Sequence, residues 1–259
     1  MSLDPATDIT DRAAPPRDPM EAQPAPPPAG DPAVSGGSSI FPYVVPMFAY
    51  VGLGGLEPYL PSIHGQPSPV WYPLAYAAKI VVVAILAWHF RATWVDFRPW
   101  PKTSTLMLAV LMGLVVWGLW IGLDGRYPAL PFLGTRAGFD VEALNPGRRW
   151  AFIVVRMLGL VVLVPLIEEL FWRSFLMRWL IDPDFQKIPI GTVTPMAAAV
   201  TSVMFALVHP EWLPALLTGA LWAWLLWHTR SLAACAVSHA TANFALGAYV
   251  IVTGDWKYW

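Results

Sequence analysis

The residues best suited to chemistry are charged and imidazole side chains inside long apolar runs. Two adjacent carboxylates, Glu168 and Glu169, are followed by Arg173. A charge at the centre of a bilayer costs at least about 2.5–3.5 kcal/mol, so these side chains need a partner or a function. On a helix, Glu169 and Arg173 share one face, which predicts an ion pair, whereas Glu168 points about 100° away. A desolvated carboxyl beside a second carboxylate suits a general acid or base.

Two more polar pairs follow, each with helical spacing. Phe205 precedes His209 by four residues, and His239 precedes Asn243 by four, so each pair shares a helix face. At 1.5 Å per residue, the predicted span ends place Glu168 about 18 Å and His209 about 24 Å from one membrane face. His239 and Asn243 fall at about 12 and 18 Å. The three clusters are therefore predicted to meet near the middle of a helical bundle.

Such a set of side chains can hydrolyse an amide in more than one way. A glutamate with a histidine can activate water, and a second histidine with an asparagine can stabilise an oxyanion. Alternatively, Glu168, His209 and His239 could bind zinc as a His₂Glu set. Cys235, four residues before His239, has the spacing of a thiol nucleophile, although a buried structural thiol is favoured. A purely structural polar network is a further alternative.

The composition indicates the elements that must position these residues. The 259-residue chain is 56% hydrophobic and only 13% charged, against about 25% in an average soluble protein. The 16 basic residues are balanced by 17 acidic ones, which argues against a nucleic-acid partner, and a single cysteine excludes a disulfide framework. We therefore expect an all-α, polytopic transmembrane helical bundle with membrane lipid as its surroundings.

The apolar runs predict about seven to eight spans. The fourth run is too long for one simple crossing, and Pro165 is a candidate kink. Glu57 and Lys79, on neighbouring runs, are predicted to form a structural ion pair, and Arg156 to snorkel or pair. The predicted spans lie near residues 40–60, 71–90, 104–123, 149–180, 193–213, 212–228 and 231–253.

The chain divides into three regions by composition. Residues 1–39 hold nine of the 27 prolines and mostly acidic charges, and they are predicted to form a disordered tail. Residues 40–148 would form N-terminal spans and a loop, and residues 149–253 a catalytic core. Loop Lys and Arg residues number eight on the N-terminal side and five on the other, which favours a cytoplasmic N-terminus.

The polar clusters, in this order on successive apolar helices, resemble the CPBP family of intramembrane proteases. That family includes the type II CAAX prenyl endopeptidases and bacteriocin-processing or immunity proteins. The resemblance covers roughly residues 150–250, and it departs from many members at Ser174, where they carry glycine. The Pro-Glu-Trp sequence after His209 and the Trp-rich C-terminus also resemble the bacterial branch associated with exosortase (PEP-CTERM) sorting systems.

The resemblance implies roles for the polar residues. Glu168 would be the catalytic glutamate, His209 its partner in activating water, and His239 with Asn243 the oxyanion site. Around them, Glu169, Arg173 and Phe205 would act as supporting residues. The family also implies an intramembrane endopeptidase, in a bacterial inner membrane, whose cavity opens to the cytoplasm. Its substrate would be a peptide or protein, including a lipidated or membrane-anchored one, and no cofactor is expected, with zinc as the alternative.

Two other functions remain open from the sequence. A non-catalytic membrane scaffold or bacteriocin-immunity-type protein could use the same polar network to hold its helices together. A proton-coupled transporter would need a polar path to both membrane faces, to which the outer halves of the spans contribute little beyond Glu57 and Lys79.

Overall fold

A computed structural model describes residues 39–63, 65–134 and 138–258. The tail predicted for residues 1–39 lies, apart from Ser39, outside the described residues. Seven helices form the framework of the described part: α1 (Phe41–Gly54), α2 (Trp71–His89), α3 (Thr103–Leu123), α4 (Pro146–Trp179), α5 (Pro195–Leu207), α6 (Trp212–Thr229) and α7 (Leu232–Thr253). A short hairpin, β1 (Ser62–Ile63) with β2 (Gln66–Pro67), joins α1 to α2, pairing antiparallel with Ile63 opposite Gln66.

The helix starts follow from ordinary capping chemistry. The side chains of Asn145, Thr194 and Ser231 accept hydrogen bonds from backbone N–H groups in the first turns of α4, α5 and α7. At its C-terminal end α7 stops at Gly254, whose φ of 70° lies in the left-handed region that glycine adopts without steric cost. Local sequence thus sets these boundaries within a few residues of the predicted spans.

The helical membrane bundle predicted from composition is confirmed. Four helices, α2, α3, α4 and α7, are long and apolar enough to cross a membrane, while α5 is a shorter apolar helix. Helices α1 and α6 occupy two more of the predicted spans. The number of crossings, seven to eight from the sequence, stays a prediction. The chain is an integral membrane protein.

Polar contacts of loop residues with helix ends and with a terminal turn define the two ends of the bundle. At the N-terminal end, Asp96 accepts hydrogen bonds from Tyr43, at the start of α1, and from Arg178, at the end of α4, both at 3.0 Å. At the C-terminal end, Asp124 accepts hydrogen bonds from Lys257 (2.7 Å) and Tyr258 (2.8 Å). The helices therefore alternate in direction from one end to the other.

The long helix α4 is not α-helical throughout. Residues Gly159–Leu163 and Leu170–Leu176 are π-helical, and the segment Val164–Glu169 between them is α-helical. The first π-helical segment immediately precedes the α-helical turn containing Pro165, which has no N–H to donate to the helix. A π-helical turn holds one more residue than an α-helical turn, and such turns often occur at functional sites. The helix thus changes its hydrogen-bond pattern on both sides of the segment that contains Pro165, and the kink at Pro165 stays a prediction.

Helices α3 and α7 approach each other closely at Gly113. A Cβ atom at this position would lie 2.7 Å from Cβ of Thr241 and still closer to the carbonyl oxygen of Ser238. By contrast, a Cβ at Gly118 of the same helix would meet nothing within 4 Å. Since α7 carries His239 and Asn243, this contact also fixes the depth and rotation of two candidate site residues.

We predict that Gly113→Ala destabilises the protein by about 1–3 kcal/mol, because backbone or side-chain atoms of α7 must move to admit a methyl group. The matched control is Gly118→Ala, which should be neutral or stabilising by up to about 1 kcal/mol, since alanine favours a helix. The measurement is the thermal unfolding midpoint of both purified variants. Equal midpoints would show that the α3–α7 contact is not tight.

Candidate active site

The four predicted catalytic side chains line one cavity inside the bundle. The cavity has a volume of about 280 Å³, and its wall includes Glu168 of α4, His209 after α5, and His239 and Asn243 of α7. Aromatic and aliphatic side chains from α1, α3, α5 and α6 complete it, among them Tyr50, Trp117, Trp120, Phe205 and Trp222. A mostly apolar cavity with a few convergent polar groups has the general form of a small-molecule or peptide site.

Glu168 and Glu169 are neighbours with different surroundings. Glu168 is 7% exposed and faces the cavity, whereas Glu169 is 0% exposed and faces the packed interior. The carboxylate of Glu169 accepts a hydrogen bond from Arg173 at 3.2 Å, which confirms the ion pair predicted from their spacing. The two carboxyl groups therefore differ in their surroundings: Glu168 lines the cavity, and Glu169 is paired with Arg173.

The same Glu169 oxygen, Oε1, also lies 2.9 Å from Nδ1 of His239. This contact joins residues 70 positions apart, so helical spacing could not have revealed it. It fixes the ring of His239 and directs Nε2 away from Glu169. The predicted supporting role of Glu169 thus takes a specific form, in which one buried carboxylate links α4 to α7.

His209 lies just beyond the end of α5, where the chain leaves the helix. Its Nδ1 is 2.7 Å from the carbonyl oxygen of Phe205. Because a carbonyl can only accept a hydrogen bond, Nδ1 carries the proton, and in the neutral ring Nε2 keeps its lone pair. The Phe205 spacing therefore determines the tautomer of His209, and that tautomer can accept a proton or a hydrogen bond at Nε2.

Asn243 is held by an irregularity in α4. Its Nδ2 donates to the carbonyl oxygen of Leu160 at 2.7 Å. In the π-helical segment, the N–H of Val164 donates to Gly159, and Pro165 has no N–H to offer to Leu160. The carbonyl of Leu160 can therefore accept the Asn243 amide. One N–H of the amide is used in this bond, and the second can serve the cavity.

Aromatic rings pack against the polar groups. The ring of Phe205 packs 4.5 Å from His209, and Trp222 packs 4.3 Å from His239, measured between centroids. The guanidinium of Arg173 lies 4.9 Å from the Phe205 ring and 5.0 Å from the Trp222 ring, both cation–π contacts. Phe205 therefore supports both a histidine and the cation that pairs with Glu169.

Arg156 is a cavity residue that the sequence interpretation missed. It was expected to snorkel or pair, but it lies on the cavity wall, 7% exposed. Its Nη1 donates to the hydroxyl of Tyr72 at 3.0 Å, and its guanidinium packs on the ring of Tyr76 at 4.9 Å. The other predicted ion pair, Glu57 with Lys79, is confirmed.

The cavity extends from Glu168 toward the C-terminal end of the bundle. Trp120, near the end of α3, and Tyr258, in the turn Trp256–Tyr258 that follows α7, both line it. The hydrogen bond and ion pair with Lys257 lower the pKa of Asp124, while burial, with the hydrogen bond to Asp124, raises the pKa of Tyr258 to about 12. These contacts hold the C-terminal turn against the cavity.

Ser174, the departure from the family pattern, belongs to a different polar cluster. Its hydroxyl donates to Asp96, and Arg178 donates to the same hydroxyl at 2.7 Å. This cluster lies at the N-terminal end of the bundle, whereas the cavity extends toward the other end. The serine therefore links α4 to the segment after α2 and does not contact the cavity.

Two alternatives from the sequence, a zinc site and a Cys235 nucleophile, can be compared with the structure. In the described part of the chain, no three His, Cys, Asp or Glu side chains are grouped closely enough to hold a metal ion. The proposed zinc ligands Glu168, His209 and His239 share a cavity wall without forming such a group. Cys235 is buried, with its sulfur 3.6 Å from the carbonyl oxygen of Trp222, and does not line this cavity.

Comparison with known proteins finds a family model that matches the part of the chain forming most of this site. Residues 150–245 match the model of the family described as Type II CAAX prenyl endopeptidase Rce1-like. The match includes all four predicted catalytic residues, while α1, α2 and α3 lie outside it. No curated protein and no solved structure matches the chain.

Proposed function

We propose that this protein is an active endopeptidase. The match of residues 150–245 to the Type II CAAX prenyl endopeptidase Rce1-like model supports a CAAX-type intramembrane protease at the level of the family. The protein hydrolyses a peptide bond inside the membrane by glutamate-activated water. The observation that carries the proposal is the convergence of Glu168, His209, His239 and Asn243, from three separate parts of the chain, on one cavity wall.

In the first step, the Glu168 carboxylate takes a proton from water while the water oxygen attacks the carbonyl carbon of the scissile bond. The neutral His209 orients that water, because its Nε2 accepts a hydrogen bond while Nδ1 is fixed by the carbonyl of Phe205. In the second step, the C–N bond breaks and protonated Glu168 returns the proton to the leaving amine. Glu168 thus acts first as a base and then as an acid.

The oxyanion formed by this attack needs donors that are already in place. The Asn243 amide has two N–H groups; one donates to Leu160, and the second would donate to the oxyanion. His239 would donate through Nε2, which requires hydrogen on both ring nitrogens, because Nδ1 already donates to the Glu169 carboxylate. Glu169 and Arg173 act as positioning residues, because they contact the histidine rather than the substrate.

No zinc step is part of the proposed mechanism. The donor set Glu168, His209 and His239 does not fit a metal-ligand group in the described structure, whereas each residue has a role in the metal-free scheme. The substrate proposed is a peptide or protein segment that reaches the site from the membrane, including a lipidated one. The narrower resemblance to the exosortase-associated branch and the bacterial inner membrane as its location stay predictions.

We predict that Glu168→Gln lowers kcat at least about 100-fold, since the amide keeps the size of the side chain but cannot accept the proton. The assay uses quenched-fluorescence peptides ending in a CAAX sequence, with and without a prenyl group. The matched control is Glu142→Gln, at an exposed glutamate paired with Arg149 outside the cavity, which should retain activity. Full activity of a folded Glu168→Gln protein would instead support the scaffold or immunity alternative.

Metal removal gives an independent test of the mechanism. We expect proteolysis to persist after treatment with a zinc chelator such as 1,10-phenanthroline, followed by dialysis, because Glu168 and His209 activate water without a Lewis acid. Metal content is measured by mass spectrometry on the same sample. Loss of activity that added zinc restores would overturn the metal-free mechanism and favour the His₂Glu alternative.

The sidedness of the cavity conflicts with one pair of predictions. The start of α1 and the end of the bundle toward which the cavity extends lie opposite each other, so a cytoplasmic N-terminus would direct the cavity toward the outer side. The charge count behind that orientation is also weaker than it first appears. Arg12 and Arg17 lie more than 20 residues before Phe41 and do not count, which leaves six basic residues against five.

Cysteine labelling resolves this conflict. Gln186→Cys reports on the N-terminal end and Ala143→Cys on the C-terminal end; both positions are exposed, and the native Cys235 is buried. A membrane-impermeant maleimide should label the two from opposite sides, and Gln186→Cys from the cytoplasmic side if the charge rule holds. Labelling from the same side would overturn the alternating topology, and a reversed pattern would turn the cavity toward the cytoplasm.

A further inference from the structure

Arg156 brings a positive charge into the cavity proposed to hold the substrate. It lies twelve residues before Glu168 on the same helix, toward the C-terminal end of the bundle where the cavity extends. Its guanidinium donates to the Tyr72 hydroxyl at 3.0 Å and packs on the rings of Tyr76 and Phe152 at 4.9 and 5.8 Å. A cation inside a membrane is costly, so its position on a cavity wall indicates a function.

The π-helical segment of α4 is what brings Arg156 to the same face as Glu168. In a regular α-helix, twelve residues at about 100° each would leave the two side chains about 120° apart. A π-helical turn adds one residue without adding a step of rotation, so the offset falls to about 20°. The cavity wall reflects this alignment, because Arg156, Leu160, Val164 and Glu168 all line it.

We propose that Arg156 binds a carboxylate of the substrate and so selects which peptide segments are cut. This inference rests on the proposed endopeptidase function. Guanidinium and carboxylate match in shape and charge, and they form strong, often bidentate, hydrogen bonds where water is excluded. Arg156 is then a specificity residue: it holds the substrate at a distance from the reacting bond and does not touch that bond.

The spacing limits where this carboxylate lies in the substrate. Twelve residues of helix rise about 18 Å, the length of about five extended peptide residues, and side chains that lean together shorten the separation. The carboxylate is therefore within about five residues of the scissile bond. It is either the C-terminal carboxylate of the substrate or an Asp or Glu side chain in that stretch, and both present the same group to Arg156.

Matched peptides test the inference on the full-length purified protein. One quenched-fluorescence CAAX peptide is made with a free C-terminal carboxylate and with a C-terminal amide. A second amidated peptide carries a Glu within five residues of the cut, and a third carries Gln there. We expect kcat/KM to be at least about tenfold higher for one carboxylate peptide than for its amide partner, mainly through KM. The pair that responds identifies the source of the carboxylate.

Variants then link the preference to Arg156. In Arg156→Gln the carboxylate-to-amide ratio of kcat/KM should fall to near one, and Arg156→Lys should restore part of it, because a point charge replaces the planar fork. The control is Arg148→Gln, an exposed arginine two turns earlier on α4, which should keep the wild-type ratio.

Two outcomes would overturn the inference without touching the proposed function. One is a wild-type ratio near one for both peptide pairs, which needs no variant and so does not depend on whether Arg156→Gln folds. The other is an unchanged ratio in folded Arg156→Gln. If instead wild type and Glu168→Gln both fail to cut any peptide, the endopeptidase proposal fails, and the inference fails with it.

Discussion

Glu169 accepts hydrogen bonds from Arg173 of its own helix and from His239 of α7, in an interior from which water is excluded. Removing either donor would leave a buried charge without full compensation, a loss of about 3–5 kcal/mol for a buried pair. The rest of the site depends on this link. It sets the rotation of α4, which turns Glu168 toward the cavity, and it fixes the ring of His239. A single carboxylate outside the reaction therefore determines the geometry of the groups inside it.

Much of this arrangement could be predicted from the sequence. Apolar runs marked the helices, because a spanning segment must be apolar and satisfies its backbone hydrogen bonds inside the membrane by forming a helix. The pair Glu169–Arg173 followed from helical spacing, and the family match at residues 150–245 agrees with the motifs that suggested it. Such predictions succeed where the information is local, because an i,i+4 contact depends on the residues of one helix.

The rest required the tertiary structure. Nothing in the spacing of residues 156 and 168 reveals a π-helical turn between them, so the sequence did not indicate that Arg156 and Glu168 share a face. The hydrogen bond from Asn243 to the Leu160 carbonyl also depends on the π-helical turn. That carbonyl can accept it because Pro165 has no N–H to donate. Both depend on backbone hydrogen bonds that a one-dimensional pattern does not encode, and both bring side chains to the cavity.

The ion pair of Asp124 with Lys257 and the buried contacts of Glu169 respond differently to salt. That ion pair is partly exposed, and dissolved ions screen exposed charges over about 10 Å at 0.1 M salt. The Glu169 network is sealed from solvent, and ions cannot reach it. The ionic composition of the surrounding water can therefore weaken or strengthen the contact that holds the C-terminal turn, while the buried contacts of Glu169 with Arg173 and His239 keep a constant electrostatic environment.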